Sequence, residues 1–478
     1  MTRTRPSVPS TVPSPPDDPE RAERAKRAYE LDREHVFHSW LAQEGRDPFY
    51  VDGGQGSWVW DGDGRPFLDF SGQLVYTNIG FGHPRVVSAI AEQAARLVTV
   101  APQHANAARS EAARLILERA PGDHFRQVFF TNGGADAIEN AVRMARLHTG
   151  RRKVISRYRS YHGNTTTAIN LTGDPRRWPN DYGAEGVVHT FGPFLYRSAF
   201  SASTPAEECE RALAHLDQVI TLEGPSTIAA IVLESIPGTA GIMIPPAGYL
   251  RGVRELCDRH GILWIADEVM SGFGRSGRWF ACELGNEALT GQPGAWSPAD
   301  GTDAAPDLIT FAKGVNSGYV PLGGVIISEA VGDTFKQRAF PGGLTYSGHP
   351  LACAAAVANI SAMTDERLIE NADRLGREVI GPALAELARH SPIIGEVRGV
   401  GCFWAVELVS DQSTREVMAP PQMAVLAAAC RSRGLVPFIN GGRTHVVPAL
   451  NITDEEARYG IALLAEAIDE VAAQLRMV

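Results

Sequence analysis

The chain has 478 residues, of which 44% are hydrophobic and 21% charged, a composition typical of globular proteins and unlike that of disordered or fibrous chains. Its 45 Lys and Arg against 55 Asp and Glu give a formal net charge of −10, which opposes non-specific binding to nucleic acid or anionic lipid. No stretch approaches the roughly eighteen apolar residues that cross a bilayer, and the proline-rich start lacks the apolar segment of a secretory signal. We therefore expect a soluble protein with neither nucleic acid nor a membrane as partner.

In chain order, the first part of the sequence combines a tail, a helix and a hairpin. Residues 1–19 are rich in Pro, Ser and Thr, which predicts a flexible tail. A helical period follows over 21–40. Two short apolar runs then flank a Gly-Asp turn within 57–70, a pattern that predicts a β-hairpin.

From residue 76 to 350, short apolar runs alternate with helical patterns, which predicts a large domain with a mostly parallel central sheet flanked by helices. Beyond 350 the pattern changes to long helices over 351–363 and 368–390, with a few strands. The hairpin strands have no other evident partners. We therefore expect residues 20–75 and 351–478 to form a smaller α+β domain built from both ends of the chain.

The six cysteines lie singly along the chain, and none forms a Cys-x-x-Cys pair. This distribution fits neither a disulfide framework nor a zinc site. We therefore predict no metal and a reducing, cytoplasmic location, and we assign no catalytic role to a thiol.

Three predicted strands of the large domain end on a charged side chain: Glu234, Asp267 and Lys313. In an open parallel sheet, ligands bind outside the carboxyl ends of the strands, so these two carboxylates and the lysine can converge at one crevice. For any one of the three, the alternative is a structural ion pair or a charge that reaches solvent at the sheet edge.

A glycine turn adds a candidate anion site. A strand ends at Thr131, Asn132-Gly133-Gly134 forms the turn, and Ala135 opens a helix. Free backbone N–H groups and the positive end of the helix dipole favour a phosphate at such a position. The turn matches neither the Walker nor the Rossmann fingerprint, and an ordinary strand–helix turn is the alternative.

A lysine, an acidic partner and a phosphate site on one sheet point to pyridoxal 5'-phosphate. A lysine forms a Schiff base with an aldehyde cofactor, and a carboxylate keeps the pyridine nitrogen protonated so that the ring withdraws electrons. A buried Asp beside a ring N–H stays charged, because the opposite charge outweighs desolvation. We therefore predict this cofactor.

Two longer motifs resemble the class III aminotransferases. They are Ile-Ala-Asp-Glu-Val with the following Gly-Phe-Gly-Arg, within 265–275, and Phe-Ala-Lys-Gly with the following Gly-Tyr-Val-Pro-Leu-Gly-Gly, within 311–324. The likeness extends from Trp58 to about Thr453. It implies the fold type I architecture of pyridoxal-phosphate enzymes and an aminotransferase of the ω-amino-acid or amine:pyruvate type.

The resemblance also implies roles for individual residues. Lys313 is the Schiff-base lysine that later moves a proton, and Asp267 pairs with the pyridine nitrogen. Val269 packs on one face of the cofactor ring and Tyr161 stacks on the other, although Tyr161 can also be read as an ordinary half-buried aromatic. We count Glu234 among the cofactor residues, as the acid that ends a neighbouring strand.

For the phosphate, the resemblance implies backbone donors at Gly134 and Ala135. The family often has Ser or Thr where Ala135 stands, so one hydroxyl is missing here. Thr345 matches a threonine that reaches the phosphate of the neighbouring subunit's cofactor, which implies at least a homodimer; as an alternative, Thr345 caps the helix that starts near residue 350. His162, beside Tyr161, is interpreted as a satisfied core histidine.

The expected reaction is ping-pong transfer from a small-molecule amine donor to an oxo acid acceptor. Many relatives that act on ornithine, GABA or acetylornithine carry Gln directly after the Asp-Glu-Val triplet, where this chain has Met270. That difference favours pyruvate over 2-oxoglutarate as the acceptor. The donor is then an ω-amino acid, a taurine-like compound or another primary amine.

An oxo acid needs a cation for its carboxylate, and arginine is the usual bidentate partner. Pro437 and Phe438 occupy the region where many relatives carry this arginine, so we predict Arg443, a few residues later, as the acid-binding residue. A surface arginine on a turn is the alternative. Trp58 and Tyr76 are candidate walls of the substrate pocket, or else core aromatics of the smaller domain.

Two other classes of function remain open at this point. An aminomutase or decarboxylase of the same fold would present the same lysine, acid and phosphate site. A catalytically inactive binding subunit is the third possibility, although the intact Lys313 argues against it.

Overall fold

The computed structural model describes residues 7–181, 186–286 and 305–475, and its strands belong to three sheets. In chain order the strands are β1 Gly53–Gln55, β2 Trp58–Trp60, β3 Pro66–Asp69, β4 Phe125–Thr131, β5 Lys153–Arg157, β6 Val187–Thr190, β7 Ile228–Glu234, β8 Leu263–Asp267, β9 Leu308–Phe311, β10 Gly323–Ser328, β11 Ile394–Val400, β12 Phe403–Asp411, β13 Glu416–Val417, β14 Leu435–Val436, β15 Phe438–Ile439 and β16 Arg443–Val446.

The α-helices cover the central sheet and complete the smaller domain. In chain order they are α1 Arg21–His35, α2 Gly72–Val75, α3 Pro84–Arg96, α4 Ala107–Leu117, α5 Gly134–Thr149, α6 Thr166–Leu171, α7 Pro205–Glu223, α8 Tyr249–His260, α9 Glu329–Asp333, α10 Pro350–Asp365, α11 Leu368–Leu375, α12 Gly381–His390, α13 Pro420–Ser432 and α14 Asp454–Leu475. Within the described ranges, none of these helices is both long enough and apolar enough to cross a membrane.

The central sheet has seven strands in the order β4-β10-β9-β8-β7-β5-β6. The strands from β9 to β6 are parallel to one another, and β10 runs antiparallel to both of its neighbours. Strands β7, β8 and β9 are buried along their whole length, as expected when helices cover both faces of a parallel sheet. The predicted α/β architecture is therefore the observed one.

Helix α5 covers one face of this sheet. Its buried stripe includes Ala137, Ile138, Ala141 and Val142, and it packs in one cluster with alternate strand residues such as Val232. Because side chains alternate along a strand, the intervening residues point to the opposite face and belong to the larger core. This packing holds the N-terminus of α5 at the carboxyl edge of the sheet.

The smaller domain joins the two ends of the chain. Strand β14 pairs in parallel with β3, with Leu435 opposite Leu68, so the N-terminal hairpin completes a sheet with a C-terminal strand. The other sheet of this domain is antiparallel and contains β11, β12, β16 and β15, with β13 beside β12. The smaller α+β part predicted from the sequence is therefore observed.

Two helices differ from the sequence-based expectation. The helix predicted over 21–40 ends at His35, before Val36 and Phe37, because β-branched and aromatic residues disfavour continued helix. The helix predicted over 368–390 is divided by a π-helical segment, Gly376–Ile380. Pro382 follows after Gly381 and lacks the N–H that a regular helix needs, so the wider turn accommodates it.

The structure describes only part of the predicted tail. Residues 1–6 lie outside the described part of the chain. Further along, the Thr11 hydroxyl donates a 2.8 Å hydrogen bond to Oε1 of Glu456 in α14. At this position the segment therefore contacts the C-terminal helix of the smaller domain.

Candidate active site

The three charged strand ends converge, as the sequence predicts. Glu234, the last residue of β7, lies opposite Asp267, the last residue of β8, in the register of the sheet. Asp267 in turn lies opposite Thr310 of β9, and Lys313 follows that strand. Because the three strands are adjacent and parallel, their carboxyl ends bring two acids and an amine to one edge.

Asp267 is buried, and both of its carboxylate oxygens have hydrogen-bond partners. Its Oδ1 accepts from the Val269 backbone N–H at 3.1 Å and lies 3.4 Å from the Thr310 hydroxyl. Its Oδ2 lies 2.7 Å from Nδ1 of His162. Only 3% of the Asp267 surface is exposed, so these partners replace water around the carboxylate.

Glu234 anchors the loops on either side of the site. Its Oε1 accepts from the Tyr161 backbone N–H at 3.0 Å, and its Oε2 accepts from the Gly238 N–H at 2.9 Å. Burial raises the pKa of Glu234, and the neighbouring charge of Asp267 raises it further, against the opposing effect of His162. This carboxyl therefore positions Tyr161 rather than offering a free charge.

Lys313 opens a short 3₁₀ turn with a backbone φ of 47°, in the left-handed region that non-glycine residues rarely occupy. Such strain costs on the order of 1–3 kcal/mol and persists where surrounding structure imposes it. Burial lowers the pKa of Lys313, the charges of Asp267 and Glu234 partly oppose this, and Arg176 adds to the lowering. A lowered pKa makes the neutral, nucleophilic amine more available.

The N-terminus of α5 faces the same site. Gly133 precedes this helix in an extended conformation, and no side chain caps its first N–H groups. A Cβ on Gly134 would lie 2.8 Å from Cγ1 of Val269, so only glycine lets the turn approach Val269 this closely. Ala135 provides a backbone N–H and no hydroxyl, as the sequence indicates.

A cavity of about 860 Å³ unites these groups. All of the predicted cofactor residues except Thr345 line it, and so does Tyr76, one of the predicted substrate walls. Met270 lines it as well. The structure therefore brings to one cavity residues that lie far apart along the chain and that the sequence analysis assigned to one site.

Three predicted site residues lie elsewhere. Trp58 is 3% exposed, and its indole N–H donates a 2.7 Å hydrogen bond to Glu456, so it belongs to the core of the smaller domain. Arg443 lies on β16 opposite Glu407, and it does not line the cavity. Thr345 is exposed and does not line the cavity of its own chain.

The cavity also contains residues that the sequence analysis missed or interpreted differently. His162 is a buried, hydrogen-bonded histidine, as expected, but its partner is Asp267. Trp40, Phe438 and Asn440 line the cavity from segments that only the tertiary structure brings there. Arg176 lines the cavity too. In the sequence, only its position shortly after the Tyr-His-Gly motif could have indicated that it belongs to the site.

This set of donors fits pyridoxal 5'-phosphate. The cofactor needs an amine for its aldehyde, an anion for its ring nitrogen and N–H donors for its phosphate. Lys313, Asp267 and the uncapped start of α5 are the corresponding groups, and they lie around one cavity.

Comparison with known proteins identifies the family. The family described as aminotransferase class-III matches residues 41–468. The chain is a class III aminotransferase. Members of this family use pyridoxal 5'-phosphate, so the cofactor and the enzyme class predicted from the sequence are confirmed.

This class III aminotransferase is similar to several named enzymes. It is 33% identical to the putrescine–pyruvate aminotransferase of Pseudomonas aeruginosa, over 88% of this chain and 90% of that protein. It is 32% identical to the taurine–pyruvate aminotransferase of Rhodobacter capsulatus, over 88% of this chain and 90% of that one.

Solved structures give the same result for the fold. The taurine:2-oxoglutarate aminotransferase of Bifidobacterium kashiwanohense, determined with pyridoxal phosphate and glutamate, matches with a TM-score of 0.88 and 37% identity. The match covers 94% of this chain and 99% of that chain. The predicted fold type I architecture is confirmed by this likeness.

Proposed function

We propose that this enzyme moves an amino group from an ω-amino acid, a taurine-like compound or another primary amine to an oxo acid, with pyruvate favoured, in a ping-pong cycle. One observation carries the proposal: Lys313, with a lowered pKa, shares a cavity with Asp267 and with the open N-terminus of α5. When bound there, pyridoxal phosphate supplies an aldehyde that accepts the amino group and a ring that withdraws electrons.

Lys313 has two tasks in this proposal. Its amine holds the aldehyde of the cofactor between turnovers, and it later moves a proton at the amine-bearing carbon of the substrate. Both tasks need an unprotonated amine, and burial favours that form, because the charged form loses its hydration.

Asp267 holds the ring nitrogen, and its neighbours keep it in place. The Val269 N–H and the His162 imidazole contact different oxygens of Asp267, so the carboxylate cannot rotate freely. Val269 and Tyr161 would contact the two faces of the cofactor ring, and backbone N–H groups of Gly134 and Ala135 would bind its phosphate.

The choice of substrates rests on the cavity lining and on the named relatives. Met270 lines the cavity, at the position where many relatives that act on ornithine, GABA or acetylornithine carry Gln. This difference favours pyruvate as the acceptor. Two similar enzymes are named for pyruvate, with putrescine or taurine as donor, whereas a similar structure is named for 2-oxoglutarate. Pyruvate and a short amine are the combination we propose.

Alanine formation tests the reaction class. The cofactor-loaded enzyme is incubated with pyruvate and with taurine, β-alanine or putrescine, and alanine is measured. Lys313→Ala should abolish alanine formation, whereas Lys336→Ala, at a side chain that is 67% exposed and paired with Asp333, is the matched control. Carbon dioxide release without alanine would replace the proposal with a decarboxylase, and relocation of the amine within the donor would replace it with an aminomutase.

We also propose a homodimer or a larger assembly in which Thr345 completes the neighbouring subunit's site. Exposure of Thr345 and of Tyr346, which is 60% exposed, leaves this segment available to a second copy. Sedimentation equilibrium of the enzyme should give at least twice the chain mass, and Thr345→Ala should weaken cofactor retention. A monomer with full activity would contradict this arrangement. We keep the cytoplasm as the proposed location, since all six cysteines are unpaired.

A further inference from the structure

The substrate acid needs a cation, and Arg443 does not reach the cavity. Among the described residues, Arg176 is the only arginine that lines it. Phe438 also lines the cavity, in the region where many relatives carry the acid-binding arginine, but it has no charge. The other cation in the lining is Lys313, which the reaction already uses.

The backbone places Arg176 beside the reacting groups. Gly173 packs directly on the end of β5: a Cβ there would lie 2.1 Å from the Arg157 carbonyl oxygen. Backbone hydrogen bonds between Gly173 and residues 159 and 160 lock this approach. Asp174 and Pro175 then begin a 3₁₀ turn that carries Arg176 back over Tyr161.

Two contacts orient the guanidinium. Its central carbon lies 3.7 Å from the centroid of the Tyr161 ring, and the backbone N–H of Tyr161 donates to Glu234. Asp174 takes one edge of the group: Nε lies 3.1 and 3.0 Å from the two carboxylate oxygens, and Nη2 also contacts Oδ2. The Asp174 carboxylate is itself fixed by the Arg176 backbone N–H at 2.9 Å.

These contacts leave the second edge of the guanidinium available. An arginine carries five N–H donors in a planar fork, and its Nη1–Nη2 edge matches the two oxygens of a carboxylate or sulfonate. No residue within the described part of the chain accepts a hydrogen bond from Nη1 of Arg176. A cation with one edge neutralised and the other open to a cavity is suited to a single anionic group.

We propose that Arg176 is the specificity residue that binds the acid group of the substrates: the carboxylate of the oxo acid, and the sulfonate or carboxylate of an acid-bearing amine donor. This inference rests on the proposed aminotransferase function and names its substrate class. One arginine serves both half-reactions, because donor and acceptor occupy the same cavity in turn. Donors without an acid group gain nothing from it.

Single-turnover kinetics test the assignment. Cofactor-loaded wild type and Arg176→Gln are mixed with taurine or with neutral 1-phenylethylamine, and the loss of the visible absorbance of the lysine-bound cofactor is followed. We expect the apparent dissociation constant for taurine to rise about 10- to 100-fold in the variant, the usual effect of losing a charged hydrogen-bonded pair. The rate with 1-phenylethylamine should change less than about threefold.

Two further variants separate recognition from structure. Arg176→Lys keeps a cation near Tyr161 but loses the fork, so its dissociation constant for taurine should fall between the other two. Arg177→Gln is the matched control, because Arg177 pairs with Asp181 and does not line the cavity. An equal loss with both donors in Arg176→Gln and Arg176→Lys would overturn the proposal.

A binding measurement keeps this inference independent of catalysis. Isethionate has the sulfonate of taurine and a hydroxyl in place of its amine, so it can bind but not react. Calorimetry should show binding to the wild-type holoenzyme and a dissociation constant at least tenfold higher for Arg176→Gln. An unchanged constant would overturn the role of Arg176, whereas absence of alanine formation in the wild type would overturn only the proposed function.

Discussion

Nδ1 of His162 lies 2.7 Å from Oδ2 of Asp267, and both residues are buried and line the cavity. On its other side, Nε2 of His162 lies 3.2 Å from the Ser156 hydroxyl, which donates to the Leu171 carbonyl. The imidazole is therefore held at both nitrogens. A donor at Nδ1 stabilises the anionic carboxylate, the form that pairs with a protonated pyridine nitrogen.

Replacing His162 with Gln tests this pairing. The glutamine carboxamide nitrogen lies one bond further from the backbone than Nδ1 of the imidazole, so the 2.7 Å contact with Asp267 is lost, and we expect the cofactor dissociation constant to rise about 10- to 100-fold. Equilibrium dialysis of the apoenzyme with pyridoxal phosphate measures it. His148→Gln is the control, since His148 contacts Thr334 away from the cavity. Equal affinity of the His162 variant and wild type would contradict a positioning role.

A methyl group at Gly134 should disturb the phosphate site through Val269. The added Cβ would lie 2.8 and 2.9 Å from the two methyl carbons of Val269, so that side chain or the turn must shift. Overpacking of this kind costs about 1–3 kcal/mol, and we expect Gly134→Ala to weaken cofactor binding at least about fivefold. Gly332→Ala, in α9 and outside the cavity lining, where a Cβ would closely approach only the flexible end of the Gln127 side chain, controls for the loss of a glycine itself.

Ala135 offers a gain-of-affinity test at the same helix terminus. A serine there adds a hydroxyl donor within the first turn of α5, near the uncapped N–H groups. If the phosphate binds at this terminus, Ala135→Ser should lower the cofactor dissociation constant about 3- to 10-fold, the effect of one added hydrogen bond. Weaker binding by this variant would place the phosphate elsewhere.

Glu283 predicts a pH dependence of stability that is separate from catalysis. Burial raises the pKa of Glu283 from 4.5 to about 7, and the charge of Glu268 contributes to the rise. The folded chain thus holds this proton more tightly than the unfolded chain, so stability falls as pH rises from 4.5 to about 7.

The variant Glu283→Gln stays neutral and still accepts from the Phe280 N–H through its amide oxygen, the contact that measures 2.7 Å in wild type. The unfolding free energy of the variant minus that of wild type should therefore be larger at pH 8 than at pH 5, by up to about 3 kcal/mol. The melting temperature of the variant should rise relative to wild type in the same direction. Differential scanning calorimetry at the two pH values measures this, with the exposed Glu44→Gln as control. A pH-independent difference would show that Glu283 titrates normally.

The sequence by itself determined the strand–helix alternation and the chemistry at the strand ends. Apolar runs that stop at Glu234, Asp267 and Lys313 are local features, and parallel strands bring their carboxyl ends together whatever the loops between them do. The glycine turn before α5 is equally local. These patterns were sufficient to predict the fold class and the cofactor, and the two motifs within 265–275 and 311–324 added the resemblance to the family.

Only the tertiary structure decided which side chains face the cavity. Trp58 and Arg443 matched by type but do not line the cavity, whereas Arg176 lines it because Gly173 lets one backbone pack on another. The direction of a side chain on a short strand or loop depends on packing between segments that are far apart in sequence. Because residue spacing along the chain does not predict those contacts, it does not predict the direction of the side chain.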